Sequence, residues 1–351
     1  MSYKNIDVNN DISINSYQYV SPAWSGGSSY LSGYFTSSFQ ETSNSGLYFL
    51  NVYQSSSFDP SSEIQFNISW GDMNGSGSSF YNSLVPYNTP TKSVYMYFRN
   101  LIYGDESSVF TFGNPNYTSS NFVCLSISRD RFKDSILPGS IALYLSNGSN
   151  NIVLVDDSSL NLQSSYIGTS RIYNLLSGSV VNNVPTPLSS NYTVVGSYGF
   201  IVPDKGLIFL NPSALSLPPG PLGGIGVNFN FYSSSQCYSY FNSLGYTYNL
   251  NNRIFFNLLN GFFYASSIET ITSEYIFVNA GPNEFNYTTN PTIIDSSGNL
   301  LYPQLIYNPQ VYITTVGLYN DQGDLLAVAR FNKPLLKDFT KSLNIRIKLD
   351  F

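Results

Sequence analysis

The chain has 351 residues and a formal net charge of −6; 42% of its residues are hydrophobic, 16% aromatic and only 10% charged. That apolar content supports a substantial core and excludes global disorder. The absence of histidine removes the commonest general base, the commonest zinc ligand and any Ser–His–Asp arrangement, and an acidic chain without a basic run gives direct nucleic-acid binding no electrostatic support.

The length fits one large β domain or two to three smaller ones. The first residues, MSYKNIDVNNDI, hold neither a basic nor an apolar segment, so no signal peptide is expected. Residues 1–40 are rich in Ser, Asn and Tyr and read as an extended arm or a frayed end. From there the chain is a series of short β-like runs divided by Ser, Gly, Asn and Pro. In order these are Gly46–Tyr53, Glu63–Trp70, Ser93–Phe98, Phe122–Ser128, Ser140–Leu145, Asn151–Val155, Gly199–Val202 and Gly206–Leu210. Many short strands with turn signals between them predict an all-β, multi-domain protein with a β-sandwich-like body.

Residues 1–215 read as the main β body, with a possible N-terminal arm. The loop Leu217–Gly224, LPPGPLGG, reads as a linker or protrusion opening an aromatic-rich insertion over residues 216–280. Two segments carry weak helical patterns: Leu250–Tyr264, interrupted by Asn and Gly, and Asn332–Lys341, with Pro334 near a first turn. Residues 281–351 read as a C-terminal β-hairpin assembly module. Apolar arms flank Asn320-Asp321-Gln322-Gly323, whose residues tolerate positive φ, which predicts a hairpin over Val311–Phe331. The last eight residues, NIRIKLDF, alternate. Ile345, Ile347, Leu349 and Phe351 should share one face, with Arg346, Lys348 and Asp350 on the other. A strand ending on an aromatic is expected to be held in its own sheet or a neighbour's, its own being favoured.

The chain offers little chemistry. Glu269 and Glu274 are the best carboxylate pair, but strand-edge acids explain them better than glycoside cleavage. Asp156-Asp157 lacks the spacing of a calcium loop and reads as a strand-end turn. Arg129–Asp134, RDRFKD, mixes signs and suits ion pairs. Cys124 and Cys237 lie outside any C-x-x-C pair and read as two buried free thiols; a disulfide between them has no support. The N-x-S/T triplets at Asn67, Asn116 and Asn286 are what chance supplies in a chain this rich in Asn, Ser and Thr. Gly223-Gly224-Ile225-Gly226 lacks dinucleotide-loop spacing. No catalytic, cofactor or metal residue is expected, and the chain reads as a non-enzyme. No run approaches the roughly 18 apolar residues of a membrane span.

The closing segments also carry a resemblance. Asn283–Pro291 (NEFNYTTNP), Asn308–Asp321 (NPQVYITTVGLYND), Leu325–Arg330 (LLAVAR) and Ile345–Phe351 together resemble the C-terminal signature of a family of virion structural proteins of large tailed bacteriophages, the T4-like marine phages among them. VGLYNDQGDLLAVA is similar to a hairpin of tail-fibre and baseplate attachment domains. Arg129–Gly139 and Gly196–Ala214 are similar to the family's middle segments. The likeness spans about half of the chain and is weak over residues 1–120 and 216–280.

The resemblance implies a virion component assembled in the host cytoplasm, in the tail, baseplate or neck region. Its partners would be copies of itself and other virion proteins. Val311, Ile313, Val316, Leu318, Tyr319, Ile345, Ile347, Leu349 and Phe351 are the candidate contact residues. The alternative is a host-surface binding protein, read through Tyr238, Tyr240, Tyr246 and Tyr248 as stacking residues.

Overall fold

The computed structural model describes residues 3–36, 41–42, 48–55, 59–78, 84, 88–114, 116–161, 165–229, 250–288, 290–307 and 309–351. The protein is all-β, as its short apolar runs predict. It divides into two compact units. The larger is Tyr19–Glu269; the smaller joins Met1–Gln18 to Thr270–Phe351. This division falls elsewhere than at residues 215 and 280.

The larger unit is built on an antiparallel sheet, its strands numbered here in chain order. Its main path runs β2 (Tyr30–Ser32), β18 (Phe262–Tyr264), β11 (Ala142–Ser146), β12 (Asn151–Asp156), β14 (Ser170–Val181) and β16 (Gly199–Val202). It continues through β17 (Leu207–Leu210), β9 (Asn121–Ile127), β6 (Ile64–Asp72), β5 (Tyr48–Tyr53) and β3 (Phe35–Thr36). β13 (Ser165–Ile167) and β15 (Val184–Pro187) flank β14, and β4 (Glu41–Thr42) flanks β5. A separate ribbon joins β7 (Phe110–Thr111) to β8 (Thr118–Ser119).

The sheet curls. Phe66 of β6 meets Phe263 of β18 at 5.4 Å between ring centroids, although the two strands are far apart along the path. Trp24 closes the contact, at 4.8 Å from Phe263 and 6.1 Å from Phe66. Its indole Nε1 donates to the Phe263 carbonyl at 2.8 Å. The result is sandwich-like, with one large apolar interior running from Leu50 through Leu125 and Leu143 to Phe255.

The central strands carry apolar residues at consecutive positions for a physical reason. Val123, Leu125, Ile208 and Leu210 face that interior. Phe122, Cys124, Leu207 and Phe209 face a second cluster on the opposite side, with Phe98, Phe110 and Phe200. A strand buried on both faces shows no alternation in sequence.

The second face is covered by a helix, Pro90–Tyr103. The run Ser93–Phe98, expected as β-like, lies inside it. Thr89 caps the helix by accepting from the Lys92 N–H, Pro90 occupies its first turn, and Gly104 ends it at φ 77. Val94, Tyr95, Phe98 and Ile102 recur at helical spacing and are buried.

Leu250–Phe256 is helical, as its pattern allowed, and Phe262–Tyr264 is strand. The Leu217–Gly224 loop is no free linker. The Gly224 N–H returns to Pro218 O, the Tyr198 hydroxyl donates to Gly223 O, and Ile225, Val227 and Phe229 then enter the core. Residues 1–40 contribute β1 (Ile12–Pro22), β2 and β3. Cys124 is buried and free, and burial pushes its thiol pKa up; Cys237 lies outside the described residues.

β19 (Ser266–Ala280) supplies strand to both units: Ser267 and Ile268 pair with β10 (Ser135–Ile136) in the larger. In the smaller unit, residues 273–280 pair with 343–350 of β22 (Leu343–Asp350). Asp11, just before β1, accepts from the Phe277 N–H at 2.8 Å. β20 (Gln310–Tyr319) and β21 (Leu325–Asp338) form a long hairpin as a separate two-stranded sheet.

Asn332–Lys341, expected as a weak helix, is instead mostly the end of β21. The ladder jumps from Thr315↔Arg330 to Ile313↔Leu335, so Pro334 sits in a bulge, where its missing N–H costs no ladder bond.

Candidate functional site

The hairpin forms where the sequence placed it. Asn320 and Asp324 close the turn: the Asp324 N–H donates to Asn320 Oδ1 at 2.7 Å, and Asn320 N–H to Asp324 O at 3.1 Å. Gly323 takes φ 85, a conformation that favours glycine.

One face of the hairpin packs inside the smaller unit. Leu318 joins Ile276, Ile345 and Ile347 as its buried centre, with Val316, Ala327, Ala329, Phe331, Leu335 and Leu349 packed around them. Val311 and Ile313 are half-buried and Tyr319 is exposed. Ile345, Ile347 and Leu349 thus share a face as expected, and they face their own chain: Ile347 stands opposite Ile276 in the ladder, and Ile345 opposite Val278. Phe351 departs from the expectation. Its backbone pairs with Thr272, but its ring is 72% exposed because it lies past the end of the cluster. Arg346 and Lys348 take the other face, each over an aromatic ring, Tyr275 at 5.5 Å and Tyr17 at 5.7 Å.

The opposite face of the hairpin is apolar and open. Tyr312, Leu325, Leu326 and Val328 are 62%, 52%, 68% and 59% exposed. Tyr319 and Leu325 lie together over Gly317, where a β-carbon would stand 2.8 Å and 3.2 Å from them. Tyr3 meets the edge of Tyr319 at 5.6 Å. Of this face the sequence singled out Tyr319 alone, because the alternating inward residues hid the apolar residues between them.

Sequence reading missed Lys337. This lysine is fully buried, opposite Val311, and its Nζ donates to Pro282 O, Asn286 Oδ1 and Asp338 O at 2.7–3.0 Å. Lys4 adds an ion pair to Glu284 at 2.7 Å, so the 281–286 segment is held from two sides.

The acids are structural in geometry. Asp156 is buried and accepts from the N–H groups of Gly139, Ser158 and Ile141. Asp157 accepts from the Asn174 N–H at 2.9 Å and from the Asn161 side chain at 2.7 Å. Burial raises both carboxyls above their ordinary value, against the pull of these hydrogen bonds. Glu269 lies 4.0 Å from Lys133 in the larger unit, and Glu274 stands opposite Leu349 in the smaller. Among RDRFKD, Arg131 pairs with Glu63 at 2.6 Å.

Among the described residues no group of three His, Cys, Asp or Glu side chains could hold a metal ion, and no helix is long and apolar enough to cross a membrane. Tyr238, Tyr240, Tyr246 and Tyr248 lie outside the described residues. No protein-family model, curated protein or solved structure matches this chain.

Proposed function

We propose that the protein is a structural component of a tailed-phage virion, of the tail, baseplate or neck, that acts by packing copies against one another and against other virion proteins. The observation that carries this reading is the open face of the β20–β21 hairpin. Tyr312, Leu325, Leu326 and Val328 hold apolar area in water on a ribbon whose strands, among the described residues, pair only with each other. Unpaired strand edges and exposed apolar area both favour association. The low charge content means little repulsion between copies. The resemblance of residues 283–291, 308–321, 325–330 and 345–351 supplies the virion context.

The smaller unit would then keep Ile345 and Ile347 for its own core and offer the outer hairpin face as the contact. Negative-stain electron microscopy of the purified protein at high concentration tests this. Closed rings or stacked arrays of copies are expected. Single particles the size of one chain at every concentration would overturn self-packing.

A further inference from the structure

The larger unit carries an open groove of about 450 Å³ that the assembly reading does not use. Its floor is aromatic. Tyr30 of β2 and Tyr264 of β18 stand opposite each other in the ladder with ring centroids 4.9 Å apart. Phe262 lies 6.2 Å from Tyr30 and 5.4 Å from Tyr144, which extends the row of rings beside the groove.

Two walls are polar and fixed. One is Asn183, at the tip of the β14–β15 hairpin. Asn182 and Asn183 both take positive φ, 51° and 63°, as a two-residue turn requires, and Asn183 Oδ1 accepts from the Tyr264 hydroxyl at 3.3 Å. The other wall is Gly139–Ser140. Buried Asp156 holds it through the N–H groups of Gly139 at 2.8 Å and Ile141 at 3.4 Å. Ser140 Oγ accepts from the Ser266 N–H at 3.0 Å, and Ser29 and Ser266 hydroxyls meet at 2.9 Å.

None of the lining residues is charged. A charged ligand would meet no counter-charge there. A purely apolar one would cover the exposed Asn183 amide without a partner for its N–H groups and would leave unused the second lone pairs of the serine hydroxyls, whose own hydrogen bonds run to Tyr30 O, to Leu137 O and between Ser29 and Ser266. A pyranose ring has apolar C–H faces for the tyrosines and hydroxyls for Asn183 and the serines. We infer that this groove binds a neutral saccharide, stacked on Tyr30 and Tyr264 and hydrogen-bonded along the Asn183 and Ser140 walls. The inference stands apart from the assembly reading, because no residue of the groove belongs to the β20–β21 hairpin.

The test is binding of the full chain to immobilised neutral glycans, based on glucose, galactose and N-acetylhexosamines, with sialylated and sulfated glycans as charged controls. At least one neutral class should bind. Tyr30→Ala should weaken it about tenfold, the worth of one aromatic contact. Tyr264→Phe keeps the ring and the packing but frees Asn183, and should weaken it less. Tyr312→Ala, remote in sequence and on the other unit, should leave it unchanged. Absence of neutral-glycan binding at millimolar concentration, binding only to charged glycans, or full binding by Tyr30→Ala would each overturn the site.

Discussion

The two units bury their apolar residues to very different depths. The larger holds Phe66, Phe110, Phe122, Phe200 and Phe209 fully out of water, on two faces of one sheet. The smaller has four buried apolar residues at its centre, Ile276, Leu318, Ile345 and Ile347, ringed by half-buried ones, and leaves a row of apolar side chains outside. A protein stable alone needs the first kind of core. The second kind suits a module whose remaining apolar area is covered by something else. The acids differ between the units only in part, since hydrogen bonds hold Asp59 and Asp105 of the larger unit below their ordinary values. Asp72, Asp156 and Asp157 of the larger unit are buried and their carboxyls raised, first by desolvation. Asp7, Glu284, Asp295 and Asp350 of the smaller unit are held below their ordinary values by hydrogen bonds.

The contrast can be broken at its strong end first. Phe209 touches Phe98, Phe110, Phe122 and Phe200 at 5.1–5.4 Å. Phe209→Ala should cost about 3–5 kcal/mol in chemical denaturation, as a cavity among rings that cannot collapse. Ile347→Ala should cost about 2 kcal/mol, the low end for such a change, because the thinner core relaxes around it. Hydrogen exchange should show faster opening of 343–350 in that variant, with 121–127 still protected.

Acid separates the buried from the hydrogen-bonded carboxyls more gently. A carboxyl lowered in the folded state contributes stability that is present above its ordinary pKa and lost as pH falls through the folded value. For Asp295 and Asp350 that loss begins below 3.8, and for Glu284 below 4.5. The raised carboxyls of Asp72, Asp156 and Asp157 work the other way: their contribution is full below 3.8 and is lost as pH rises through the raised values. Exchange measured from pH 6 to pH 3 should therefore show the backbone around Glu284, Asp295 and Asp350 loosening before that around Asp72, Asp156 and Asp157. Loosening around Asp156 and Asp157 first would contradict this assignment.

What the sequence made legible was local. The hairpin could be read because Asn320–Gly323 supplies its own turn and the arms mark their faces. The strands buried on both sides appeared as unbroken apolar runs, such as Leu207–Leu210. The helix over Ser93–Phe98 was hidden because a six-residue apolar run has no resolvable period; Thr89-Pro90 and Gly104, outside the run, hold the signal. The smaller unit could not be read as one body, because residues 11 and 277 meet only through the fold. The groove was hidden for the same reason: Tyr30, Ser140, Asn183 and Tyr264 are scattered along the chain, and only Val-Asn-Asn-Val at 181–184 carried a local turn signal.

The smallest effect on folding should come from the outer hairpin face. Leu326→Lys with Val328→Lys removes apolar area already in water and should change stability by no more than about 0.5 kcal/mol. Its effect on association should be large, which makes it the most direct test. Light scattering coupled to size exclusion should give a defined multiple of 39.0 kDa for the wild-type chain and a single-chain mass for the double variant. A wild-type monomer, or a multimer that survives both lysines, would contradict the claim that this face is built to be covered.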